Sequence, residues 1–156
     1  MQFPTTLVAL GMLAMTVSAT PRAYNDFQIS GCTGGSAEAE AEAAFPGALN
    51  SLTSAEFSDV NTEAHCAVLA EQAFIDAQEE AGADSTTGQA LAVGMIKNKV
   101  LKIYGTLQAI TSQIELQGST AEREANRAEL TTKLATNIKI DQGNDGKASA
   151  AVDFTC

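Results

Sequence analysis

His65 and Cys66 stand side by side, the chain's single histidine next to a thiol. The protein has one histidine, so any Ser/His/Asp or Cys/His arrangement has to use His65, and no nucleophile-elbow pattern accompanies it. A second metal ligand at helical spacing from this pair is missing, so a Cys/His metal site is not expected. Asp141-Gln142-Gly143-Asn144-Asp145-Gly146 has the aspartates of a calcium loop, but not the later ligands or the closing glutamate of an EF-hand. Acidic pairs such as Glu79-Glu80 and Glu122-Arg123-Glu124 read as solvated helix faces. No phosphate-binding glycine loop occurs. The expectation is a non-enzymatic protein with no catalytic residue, metal or cofactor.

The residues that could bind something are apolar. Val93, Ile96, Val100, Ile103, Leu107, Ile110 and Ile114 recur at intervals of three and four, which places them on one stripe of a helix about 30 residues long. Such a stripe is the core seam of a four-helix bundle. Its neighbours are rich in alanine, so the large side chains can also line an apolar groove for a lipid or hydrophobic surface. The candidate ligand-binding set is Phe45, Phe74, Val93, Ile96, Val100, Ile103, Leu107 and Ile110.

Several helices must position that stripe. The central one begins at Thr86-Thr87-Gly88-Gln89, which has the form of a capping box, and ends at Gly118. Its edge carries Lys97, Lys99 and Lys102, which should meet acidic neighbours. Ser119-Thr120-Ala121-Glu122 is a second capping box, so the next helix turns straight back and runs to about Ile140, with Ala125, Ala128, Leu130, Leu134 and Ile138 on its apolar side. The aspartate- and glycine-rich hexapeptide after it is a breaker. Upstream, Thr62 is expected to cap a helix through about Ala81 that carries Phe74, and Gly82 closes it.

Residues 36–47, SAEAEAEAAFPG, alternate like a strand, but alanine and glutamate are good helix formers and poor strand formers. A helix capped at Ser36 is expected, with Glu38, Glu40 and Glu42 near its positive end. Phe45, Leu49 and Leu52 supply a late apolar side, and Pro46 marks a kink or restart. DFQIS (26–30) and AVDFT (151–155) also alternate, and they fit a two-stranded ribbon or a pair of covering segments that bring the chain ends together. The fold class is therefore all-α, a four-helix antiparallel bundle with a short pairing of its terminal segments.

Leu7 to Val17 is an uncharged apolar run of signal-peptide length, too short to span a bilayer, and Val17-Ser18-Ala19 precedes a cleavage position. Residues 1–19 are read as a signal peptide, 20–35 as an N-terminal extended segment and 36–156 as the bundle with its C-terminal segment. No transmembrane segment is expected, and the product is secreted to the medium or the cell wall. All 9 basic and 19 acidic residues fall after the cut, a net of −10, which disfavours nucleic acid and anionic membranes as partners. In an oxidising compartment two of Cys32, Cys66 and Cys156 should pair. Cys32–Cys66, closing about 35 residues, is preferred; Cys32–Cys156 is the alternative, and a Cys156-linked dimer would use the leftover thiol.

The segment Ile96-Lys97-Asn98-Lys99-Val100-Leu101-Lys102 and the flanking DFQISGC and AVDFTC resemble small secreted proteins of filamentous fungi, a loosely defined and mostly uncharacterised group. The general architecture is more distantly similar to the fungal hydrophobic-surface-binding and cell-wall mannoprotein family. That likeness implies binding of an apolar ligand or surface, and it transfers no site residue. The alternative expectation is an effector or antigen-like protein that binds a host or cell-wall protein through its acidic face.

Overall fold

A computed structural model describes residues 20–46 and 52–156. The expected signal peptide, and Leu49 of the expected late apolar side, lie outside these residues. The described chain is all-α: α1 (Tyr24–Phe27), α2 (Ala37–Ala44), α3 (Ser54–Ala81), α4 (Thr86–Gln117) and α5 (Ala121–Gln142). The four longer helices correspond to the expected bundle, and α1 is one added turn within the segment expected to be extended.

Helix α4 is the spine, and α2, α3 and α5 all pack on it. Ser85, not Thr86, is its N-cap: the Ser85 hydroxyl accepts from Gly88 N at 2.9 Å, while the Gln89 side chain donates to Asp84 O at 3.2 Å. Gly118 stops it with φ +89°, a conformation that costs a side-chain-bearing residue far more. Thr120 then caps α5 through Arg123 N at 3.2 Å, so α5 folds back antiparallel.

Helix α3 starts earlier than Thr62. Thr53-Ser54-Ala55-Glu56 forms a reciprocal capping box, with Glu56 N donating to Thr53 Oγ1 at 3.3 Å and Thr53 N to Glu56 Oε2 at 2.7 Å. Thr62 lies mid-helix, and its hydroxyl donates to the Ser58 carbonyl one turn back at 2.9 Å. In α2 the alternation resolves as the sequence composition suggests. Ala37 and Ala41, four apart, are buried, and Glu38 and Glu42 face solvent. Ser36 makes no cap bond to the backbone; its hydroxyl donates to Glu40 at 2.5 Å, and Ala37 N is taken by Asp141 Oδ2 at 2.8 Å.

The expected ribbon is not formed. Among the described residues there is no strand, only the isolated bridges Thr33–Ala148 and Gly34–Asp145. Asp26 and Phe27 belong to α1. The two terminal segments act as covers: Gln28 Nε2 donates to Val152 O at 3.2 Å, Ala150 N to Ala90 O at 3.0 Å, and Phe154 meets Tyr24 edge-on at 6.0 Å. The C-terminal segment crosses α4 at Gly94, where a Cβ would lie 1.9 Å from Ala150 O.

That path corrects the disulfide. Cys66 pairs with Cys156, with Cα atoms 5.8 Å apart, and Cys32 is an exposed free thiol. The covering segment carries Cys156 past α1 to the middle of α3, while Ser149 N holds the Cys32 carbonyl at 3.0 Å further back along the same segment. Neither Cys32–Cys66 nor Cys32–Cys156 is made. Cys156 is bonded within its own chain, so it is not the thiol that would link a dimer.

Candidate functional site

The stripe of α4 divides by depth. Phe45, Phe74 and Val100 belong to the continuous core, each at most 1 % exposed. Phe45 is packed inside the core. Its ring lies 5.7 Å from that of Phe27, under the Arg22 guanidinium, against a bare patch of α4 at Gly105, where a Cβ would come within 2.7 Å of it. Val93, Ile103, Leu107 and Ile110 are buried less completely, and Ile96 is half-buried.

The less covered part of the stripe faces α5. Only Asp141 of α5 is buried; Leu130, Leu134 and Ile138 are half-buried against the spine, and Ala125 and Ala128 point to solvent. Helices α3 and α5 each lie along α4 but scarcely meet one another. The gap between them is a groove of about 480 Å³ whose apolar surface comes from Val68 of α3, Ile103 of α4 and Leu130 of α5. Thr106 and Asn137 add polar edges. Its size falls within the ~300–1,000 Å³ of ligand sites. Val68 remains 42 % exposed, which is unusual for a valine facing two neighbouring helices and marks the groove as open.

Cations rim this groove. Lys99, Lys102 and Lys133 line it, three of nine basic residues in a molecule of net charge −10. Lys102 and Lys99 share one carboxylate, Glu71 of α3: Lys102 bonds one oxygen and Lys99 lies 3.5 Å from the other. Burial opposes ionisation of Glu71, but the hydrogen bond and charge of Lys102, then those of Lys99, outweigh it and hold its pKa below the ordinary carboxylate value. Lys133 pairs with Glu129 one turn away at 2.5 Å, with both side chains more than half exposed. The hydrogen bond from Lys133 likewise lowers the Glu129 pKa.

A second groove, of about 520 Å³, lies at the start of α4. Ala90, Val93 and Ile96 form its apolar side, and Asn144 and Lys147, linked by a 2.9 Å bond, form its rim. Val93 and Ile96 of the expected set therefore line this second groove. The third expected lysine, Lys97, is buried and lines neither groove. His65 is exposed on α3 and its neighbour Cys66 is in the disulfide. Among the described residues no group of three His, Cys, Asp or Glu is placed to hold a metal ion, and no helix is long and apolar enough to cross a membrane.

Sequence reasoning placed Ile103 on the candidate face but missed Val68, Leu130 and Lys133 as its companions. The available signal was the spacing of Leu130 and Lys133, three apart on α5, beside Lys99 and Lys102, three apart on α4.

Fold and groove together define an all-α, disulfide-tied helical protein with an open apolar cleft between its outer helices. The chain belongs to a family described as a domain of unknown function (DUF8454), whose family model matches residues 19–153. No curated protein and no solved structure matches the chain.

Proposed function

We propose that this is a secreted, non-enzymatic helical protein that binds an apolar ligand or hydrophobic surface at the cell wall or outside the cell. The open cleft between α3 and α5 carries the reading. In a closed four-helix bundle Val68, Ile103 and Leu130 would be capped by a fourth element, whereas here α2 packs on α4 and α5 and, among the described residues, this gap is left uncovered. The signal-like N-terminus and the resemblance to fungal small secreted proteins support the location. Bare apolar surface in a cleft gains free energy when an alkyl chain displaces its water, at about 25 cal/mol per Å² buried.

The test is thermal unfolding of the disulfide-intact protein with dodecyl maltoside below its micelle concentration, together with adsorption to polystyrene beads. A binder melts higher as ligand is added. Val68→Asp, a change at an exposed position, should abolish the rise. An unchanged melting temperature together with no adsorption would remove the proposal. An effector or antigen-like protein binding a host or wall protein through the acidic face is the competing reading, supported by the charge of −10. It predicts capture of one dominant polypeptide that salt releases.

A further inference from the structure

The cleft between α3 and α5 has a charge opposite to that of the molecule. Lys99, Lys102 and Lys133 face two carboxylates, Glu71 and Glu129, so one ammonium charge at the rim has no counterpart among its direct ion pairs. The two ion-pair sets differ in strength. Glu71 is half-buried between helices and engages two lysines, whereas Lys133–Glu129 is a solvated pair on one helix, of the kind that contributes little and exchanges partners readily. A headgroup that displaces Glu129 from Lys133 therefore loses little and gains a charge-assisted bond beside an apolar wall.

We infer that the cleft takes a single-chain amphiphile with an anionic headgroup, its alkyl tail on Val68, Ile103 and Leu130 and its head on Lys133 and Lys102. This inference rests on the apolar-ligand reading above and adds the sign of the headgroup. Charge complementarity selects this occupant over a bilayer. A monomer needs only the local field of the rim, which acts within a Debye length of about 8 Å at physiological ionic strength, while an extended anionic surface would also meet the acidic remainder of the protein. The selectivity runs against the molecule's net charge of −10.

Titration calorimetry of the full disulfide-bonded protein distinguishes the possibilities. The probes are dodecyl phosphate, dodecyl maltoside and dodecyltrimethylammonium, which share one tail, each kept below its micelle concentration at physiological salt. The phosphate is expected to bind about tenfold or more tighter than the maltoside, and the trimethylammonium more weakly than either. Lys133→Gln, at an exposed position where folding is not at issue, should bring the phosphate down to the maltoside's affinity and leave the maltoside unchanged. Equal affinity for the phosphate and the maltoside, or a phosphate preference that survives Lys133→Gln, would overturn the headgroup assignment and leave the apolar reading standing. Binding of none of the three would overturn both.

Discussion

Each proton of the buried Lys97 ammonium has an oxygen to meet: Gly31 O at 3.0 Å, Thr33 O at 2.9 Å and a Glu40 carboxylate oxygen at 2.9–3.0 Å. It thus ties α4 to α2 and to the loop around Cys32, whose backbone sits at φ +66° between those two carbonyls. Buried cations are tolerated when paired and fully hydrogen-bonded, and removing one strands its partners. Lys97→Met should therefore lower unfolding free energy by ~2–3 kcal/mol, measured by urea titration, although methionine nearly matches the lysine in volume. The same residue shows the limit of reading charge from sequence. Lys97, Lys99 and Lys102 looked like one polar edge, and all three do meet acidic partners. At helical spacing, however, Lys97 points inward while Lys99 and Lys102 flank the cleft, and only the packing of α2 on α4 separates them.

At the scale of elements, the central helix was readable because a period of 3.6 survives over about six turns, from Val93 to Ile114, and Gly118 ends it, while its start fell one residue from the true cap, Ser85. Helix α3 was shortened in prediction because Thr62 has a cap residue's chemistry, and the earlier box at Thr53-Ser54-Ala55-Glu56 precedes a stretch with little large apolar content. Alternating DFQIS and AVDFT suggested strands, yet the first begins in the last turn of α1 and only AVDFT lays alternate residues on the bundle as an extended cover. Glycines inside α4 were not informative from sequence, but they mark crossings: Ala150 passes over Gly94 and the Phe45 ring rests on Gly105. Gly105→Val should cost roughly 1–3 kcal/mol by driving Phe45 from its site, despite the better helix propensity of valine. A lowered urea midpoint would show it; a raised one would mean that Phe45 is not held there.

Across the whole molecule, the C-terminal cover is held by the Cys66–Cys156 bridge, which spans 90 residues. A loop of that length restricts the unfolded chain strongly, worth ~4–5 kcal/mol in the chain-entropy account. Cys156→Ser should lower stability by roughly 2–5 kcal/mol, and mild reduction of the native protein should reproduce it. Native thiol titration should find one reactive sulfur, Cys32; non-reducing peptide mapping that linked Cys32 to either other cysteine would contradict this topology.

Helical periodicity, alanine content, caps and charge are local properties of neighbouring residues, so the all-α class, the spine and the acidic surface were legible from the amino-acid order. Cysteine pairing and the cleft were not, because both depend on which residues distant in the chain come together. The path of the C-terminal cover across Gly94 brought Cys156, and not Cys32, to Cys66. The separation of α3 from α5 brought Val68, Ile103 and Leu130 to one open surface and set three lysines around it, a juxtaposition that no spacing within a single helix encodes.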